Sequence, residues 1–339
     1  MNAPAPNAVT TQAPRPRHRM TVPREGEGGL YSQTWFPVCT SAEVAPGQVI
    51  GVPFLGGKVV VFRGEDGVAR VMSAWCVHMG ADLSVGKVVG NHIRCAFHHW
   101  EYGDQGTCMR TATGSMPPKG AGIFHFPTAE KLGCIWAFNG EAPLWELPDL
   151  EVPEAQCDMR VRPCLINNCE PYMITANAFD WQHFGILHHF ESDTDMGEDA
   201  ITWNPYDCGF VFKGRHWLGE DTTYRIWIHG TNLYLQQGTL DGVWYALMYA
   251  MGLPEPGRSR TFMHLWLPRS DTPEGRVRDH YRIEALLDME LRFVDEDEPI
   301  LNNIHFGPTH LTKDDKAFGL YLNWLRRYPR ANPAMHYLD

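Results

Sequence analysis

Residues 76–99 read CVHMGADLSVGKVVGNHIRCAFHH, and the reading of this stretch decides the fold. It holds two cysteines and four histidines in 24 residues, a density of soft metal ligands that an ordinary globular segment does not carry. The ligands form two pairs, Cys76-Val77-His78 and Cys95-Ala96-Phe97-His98, each delivering one thiolate and one imidazole from a tight turn. A Cys2His2 zinc site is one chemistry open to such a set, but zinc fingers group the cysteines in one knuckle and the histidines on a helix. Alternating Cys-His and Cys-His loops between short strands suit a [2Fe-2S] cluster with one iron on two cysteines and the other on two histidines. Neutral imidazoles lower the negative charge on such a cluster and raise its potential, which makes it a one-electron relay. Cys76, His78, Cys95 and His98 complete the set. His92 and His99 are then spare, and Cys108 is expected as a buried thiol.

Around this stretch the order C-x-H, C-x-x-H is accompanied by Gly80, Leu83, Gly86, Trp100, Tyr102 and Gly106. In these positions the segment resembles the Rieske iron–sulfur motif, with valine at position 77 where proline is common. The glycines are expected to bring backbone close to the cluster loops.

Outward from the motif, residues 29–148 read as short β-type runs between glycine turns, such as VVVF and VARVM across RGEDG, and predict an all-β domain. The segment 1–28 is rich in Pro, Ala and Gly with little to bury, and predicts a mobile tail. A proline-punctuated stretch, GEAPLWELPDLEVPEAQC, marks a boundary near residues 145–155. Residues 149–339 then give a helical run at 170–190, a series of strands that includes 278–291 (RDHYRIEALLDMEL), and helical segments toward the C-terminus. That order predicts an α+β domain with helices on a curved antiparallel sheet.

The formal charge of −11 and the lack of a basic stripe exclude a nucleic-acid partner. No apolar run reaches the roughly 18 residues of a membrane span. Nine cysteines without a secretory leader point to a reducing, cytoplasmic setting.

A second constellation lies in NAFDWQHFGILHHF: Asn177, Asp180, His183, His188 and His189 amid Phe179, Trp181, Phe184, Ile186 and Leu187. Polar groups embedded in apolar bulk need partners, and two histidines with a distant acid would form the 2-His-1-carboxylate set of a non-haem Fe(II) site. His183 and His188 are five residues apart and do not share a face of a regular helix, so the helix must break between them, with Gly185 placed to ease it. The spacing N-x-x-D-x-x-H-x-x-x-x-H is similar to the mononuclear iron motif of Rieske oxygenase α subunits. That resemblance implies His183 and His188, rather than His189, as iron ligands, Asp180 as the carboxylate bridging the two metal centres, and Asn177 as a supporting residue. The third ligand is expected in the acidic run DEDE at 295–298, read as the start of the C-terminal helix, with Asp297 preferred and Asp295 as the alternative.

The same resemblance, nearest the 3-ketosteroid 9α-hydroxylase and vanillate O-demethylase types, implies a Rieske domain followed by a helix-grip catalytic domain. It also implies a homotrimer in which His98 of one chain meets Asp180 of the next, and electrons from NAD(P)H through a reductase or ferredoxin. The activity implied is hydroxylation or O-demethylation of a small organic substrate with O2. The absence of an evident carboxylate-clamping arginine favours an apolar one. Two other readings stay open at this stage: a Rieske-type electron carrier, which leaves the second constellation without purpose, and a zinc-stabilised binding module.

Overall fold

A computed structural model describes residues 21–338 except 163–164, 190, 193–197, 216–220, 241 and 308–309. The expected mobile tail therefore lies outside the described residues up to position 20. Residues 21–28 are docked rather than free. Glu25 is buried and accepts from the Ser32 backbone and hydroxyl, while the Arg330 guanidinium donates to the carbonyls of Pro23, Arg24 and Leu30.

The N-terminal half consists of short antiparallel strands in three small sheets. Val49–Phe54, Gly57–Arg63, Ala69–Ser73 and His125–Phe126 form one, and Trp35–Thr40, Cys134–Phe138 and Thr128–Lys131 a second. The third, Lys87–Val89, His92–Arg94, Glu101–Tyr102 and Cys108–Arg110, carries the second ligand pair on one of its turns. The predicted hairpin is present, with Val61 opposite Val71. Its apolar residues are driven inward: Val60, Phe62, Met72, Leu83, Ile93 and Tyr102 share one core under the two loops.

Gly86 packs against the backbone of Arg94, the residue before Cys95. A Cβ there would lie 2.3 Å from the Arg94 carbonyl oxygen, a backbone atom that cannot swing aside. Gly86→Ala is therefore expected to cost about 1–3 kcal/mol and to loosen the second loop. A lower melting temperature together with weakened visible absorption of the reconstituted protein would report it; an unchanged melting curve would show that the backbone yields freely.

The C-terminal half is built on one nine-stranded antiparallel sheet. Its main path runs Cys157–Val161, Arg258–Pro268, Val243–Glu255, Leu233–Leu240, Asp221–His229, Asp207–Arg215 and Glu191–Ser192. Along Asp221–His229 buried and exposed residues alternate, so one face is committed to the interior. Against that face lie α1 (Pro171–Ala176), α2 (Trp181–Ile186), the long α3 (Pro273–Leu301) and α4 (Lys316–Leu325).

Three expectations need correction. The segment 278–291 is helix within α3, not strand: Gly275, Asp279, Ile283, Leu287 and Glu290 are buried at helical spacing, Thr272 caps the N-terminus and Pro273 starts it. The local alternation in YRIEALL imitates a strand, and the four-residue period over the longer window overrides it. The acidic run at 295–298 consequently lies near the end of α3 rather than at a helix start. Finally, residues 330–338 do not stay with the C-terminal half. Arg330–Ala331 pair with Tyr31–Ser32, Ala334 and Leu338 enter the core of the N-terminal sheets, and Trp75 Nε1 donates to the Leu338 carbonyl at 3.0 Å.

One buried asparagine joins the halves, and a second holds the C-terminal residues on the N-terminal sheets. Asn232 donates to the Trp35 and Met251 carbonyls and accepts from Thr34, while Asn139 donates to the carbonyls of Tyr31, Ser32 and Ala331. Asn232, bonded at both ends of its amide, fixes one register because any other would leave buried polar groups unpaired.

Candidate metal centres and active-site cavity

The two cysteine–histidine loops are built alike. In the first, Cys76 N–H donates to the Ala81 carbonyl and Gly80 N–H to the Cys76 carbonyl; in the second, Cys95 N–H donates to Trp100 and His99 N–H to Cys95. The fourth position after each cysteine is left-handed, Gly80 at φ 73° and His99 at φ 54°. Exposed His99 is thus the counterpart of a turn glycine, not a ligand.

Cys76 and Cys95 are buried, whereas the rings of His78 and His98 face outward with centroids 4.6 Å apart. Trp100 stacks on His78 at 4.5 Å, and the Tyr102 hydroxyl lies 3.0 Å from Cys76 Sγ. Paired buried thiols below and paired imidazoles above fit a two-iron cluster with mixed ligation. Cys108 is buried close by, and no disulfide joins the described cysteines.

The second constellation converges with the far end of α3. His183, His188 and Asp297 bring one ligand atom each to within 4.8 Å of one another. The chain achieves this by ending α2 between the histidines. Leu187 and His188 N–H both reach back to the His183 carbonyl, and His189 turns the chain at φ 57°. The break thus follows Ile186; Gly185 remains inside the helix.

Each ligand is held from behind. The Asp180 carbonyl lies 2.5 Å from His183 Nδ1, and the Asp180 carboxylate caps α2 through the His183 N–H. Asn177 Nδ2 donates to Asp297 Oδ2 at 3.0 Å, which aims the other carboxylate oxygen at His188 Nε2, 3.4 Å away. Asp295 is exposed and stands outside the group.

Burial holds the His183 imidazole below its ordinary pKa, in the neutral form that ligates metals. For His188 burial acts in the same sense, but hydrogen bonds to the Asp297 and Glu296 carboxylates outweigh it and leave it raised. A divalent cation would take the place of that proton. Two imidazoles and one carboxylate on a cavity wall fit a non-haem Fe(II) with open positions.

Glu296 escaped the sequence reading. Its Oε2 lies 2.7 Å from His188 Nδ1 and fixes which ring nitrogen faces the metal position. Within a run of acids its type carries no signal; only the fold shows which acid meets which histidine. Glu296→Ala is expected to weaken iron retention roughly 10–100-fold, as loss of such a supporting partner does at other metal sites. Iron remaining after dialysis against a weak chelator measures this, and unaltered retention would remove Glu296 from the site.

The triad opens on a cavity between α3 and the sheet, walled by Ile174, Phe184, Phe212, Tyr249, Phe293 and Leu301 among others. Of the strands Val243–Glu255 and Arg258–Pro268, Tyr245, Tyr249 and Thr261 reach this cavity, while Leu247, Met263 and Leu265 fill the core.

Comparison with known proteins agrees with this arrangement. Residues 34–118 match the family model described as Rieske [2Fe-2S] domain. The chain is 35% identical over 198 residues to a cholesterol 7-desaturase of Bombyx mori, covering 57% of this chain and 42% of that protein. It is 30% identical over 167 residues to the oxygenase component of a Mycobacterium tuberculosis 3-ketosteroid-9-alpha-monooxygenase, covering 47% of this chain and 43% of the relative. The match thus spans less than half the length of these curated relatives. The solved structure of dicamba monooxygenase bound to dicamba superposes with a TM-score of 0.68 at 18% identity, covering 87% of this chain and 97% of that one, which establishes a shared fold.

Proposed function

We propose, from the premise that this chain carries a Rieske [2Fe-2S] domain and is homologous to Rieske oxygenase components, that it is the terminal oxygenase of an electron-transfer system. It would use O2 and reductase-supplied electrons to hydroxylate or O-demethylate a small, mainly apolar organic substrate. The observation that carries this reading is the convergence of His183, His188 and Asp297 on an apolar cavity in a chain that also presents two matched cysteine–histidine loops.

In this reading Cys76, Cys95, His78 and His98 hold the cluster, and His183, His188 and Asp297 hold the iron. When bound, the cluster supplies single electrons and the iron supplies open positions for O2 reduction beside the substrate. The chain's own residues do the rest. Asp180, Glu296 and Asn177 fix the three ligands, as a site of this kind requires. The aromatic walls contributed by Phe184, Phe212 and Phe293 exclude water and hold an apolar substrate against the triad.

Two finer elements belong to the same proposal. Outward-facing His78 and His98 offer the cluster to a neighbouring copy, and half-buried Asp180 is the residue that would receive it, in a homotrimer. Residence in the cytoplasm fits cysteines that form no disulfide among the described residues. Among the described residues no helix is long and apolar enough to cross a membrane.

The test is a set of uncharged ring compounds incubated with the iron-loaded protein, NAD(P)H, a reductase and ¹⁸O2. Labelled hydroxylated product, or labelled formaldehyde from a methyl ether, is the expected result. Oxidation of NAD(P)H with no labelled product from any of them would contradict the assignment.

A further inference from the structure

At the end of the cavity remote from the triad, four side chains form a directed hydrogen-bond chain that the metal site does not use. The Tyr234 hydroxyl donates to Gln236 Oε1 at 2.6 Å, and Gln236 Nε2 donates to the Tyr245 hydroxyl at 2.9 Å. Tyr245 in turn donates to Glu290 Oε1 at 2.8 Å, and the Tyr224 hydroxyl lies 3.0 Å from that of Tyr245. The chain ends on a carboxyl. Glu290 is 5% exposed and lines the cavity, and among the described residues its second oxygen, Oε2, has no hydrogen-bond partner. On the walls Asn167 bonds Thr261, Asn177 bonds Asp297 and Gln236 is bonded at both ends of its amide, while the Tyr249 hydroxyl, like Glu290 Oε2, makes no hydrogen bond among the described residues.

An unpaired carboxyl oxygen that opens on a largely apolar cavity gains from a partner that bonds to it there. Burial pushes the Glu290 carboxyl up to about 7, so near neutrality it is available as a proton donor at Oε2 as well as an acceptor. It can therefore meet a carbonyl or a hydroxyl. It cannot welcome an anion, and among the described residues that line the cavity there is no lysine or arginine.

Glu290 and Asp297 are seven residues apart on α3, two turns along one face, which separates them by roughly 10 Å along the helix axis. We propose that Glu290, oriented by Tyr245, is the specificity residue of this cavity. It hydrogen-bonds one hydroxyl or carbonyl at the far end of an uncharged, ring-containing substrate whose reacting carbon lies at the His183–His188–Asp297 end. This rests on the oxygenase reading for the word substrate, and on the cavity alone for the binding.

The experiment is equilibrium dialysis of the iron-loaded protein against 2-naphthol, naphthalene and 2-naphthoate, with no reductant present. The wild type is expected to hold 2-naphthol roughly tenfold more tightly than naphthalene, with 2-naphthoate the weakest. Glu290→Gln, which keeps a donor and an acceptor, is expected to retain the preference, and Glu290→Leu to abolish it. Tyr245→Phe leaves Oε1 without its donor and is expected to reduce the preference several-fold; it serves as the second variant if the leucine substitution loses the visible spectrum of the folded protein. A wild type that holds naphthol and naphthalene equally, or neither, overturns the proposal, as does an undiminished preference in the folded leucine variant or, where that variant does not fold, in Tyr245→Phe. Because dialysis requires no turnover, discrimination without any oxygenated product would refute the oxygenase reading and leave this one standing. Turnover without discrimination would do the reverse.

Discussion

His183→Ala is expected to abolish product formation, by a factor on the order of 10³ or more, while the visible absorption of the iron–sulfur cluster is unchanged. His183 supplies one of the three atoms that converge within 4.8 Å, and a two-ligand remnant does not retain Fe(II) in a fixed geometry. The substitution is local. The residue is half-buried near the end of a short helix, and its backbone contacts, the capping bond from Asp180 and the return bond from Leu187, involve no side-chain atom of His183. Turnover with labelled O2 and iron content, measured on the same preparation, test this together. A variant that forms product at the wild-type rate would show that the histidine is misassigned.

The second large effect is expected at Asp180. Its carbonyl meets the His183 ring and its carboxylate caps α2, so the side chain does not itself touch the imidazole. Asparagine at this position keeps the carbonyl and caps a helix about as well as aspartate. Asp180→Asn should therefore leave the fold, the cluster and the iron in place. In the proposed homotrimer it would remove the negative charge offered to an imidazole of the neighbouring cluster, and turnover is then expected to fall about 100-fold, at the upper end for such partners. Chemical reduction of the cluster should remain normal, and slow oxidation of that cluster on adding O2 and substrate would locate the defect between the centres. Wild-type turnover would remove Asp180 from the electron path.

How much of this was legible beforehand follows from the range of the interactions. The cluster loops are local: ligands, turn glycines and strands all fall within about thirty residues, and each loop closes on its own hydrogen bonds. Sequence therefore carries them almost completely. The mononuclear site depends on a helix end meeting another helix 109 residues further on, His188 against Asp297. The histidines stand out by type and spacing, but the choice between Asp295 and Asp297 is made by which face of α3 turns inward.

Glu296 was missed because acids in a charged run read as solvent-facing until a partner is seen, and Glu290 because it fell in the run 278–291 that was read as a strand. A spacing of seven residues from Asp297 was the one available hint for Glu290, because it places both on one face. The strand assigned to 278–291 failed where short-range alternation was weighed above the longer helical period and the Thr272–Pro273 start. The docking of residues 330–338 on the N-terminal sheets left no sequence signature, as a short apolar tail gives no indication of which core it will enter.

The most direct test is an iron count on the anaerobically reconstituted chain, paired with the paramagnetic signal of the reduced cluster. About three irons per chain are expected, two of them in a cluster with mixed thiolate and imidazole ligation and one lost selectively in His183→Ala. About two irons, unchanged in that variant, would mean an electron carrier without a mononuclear centre and would contradict the account.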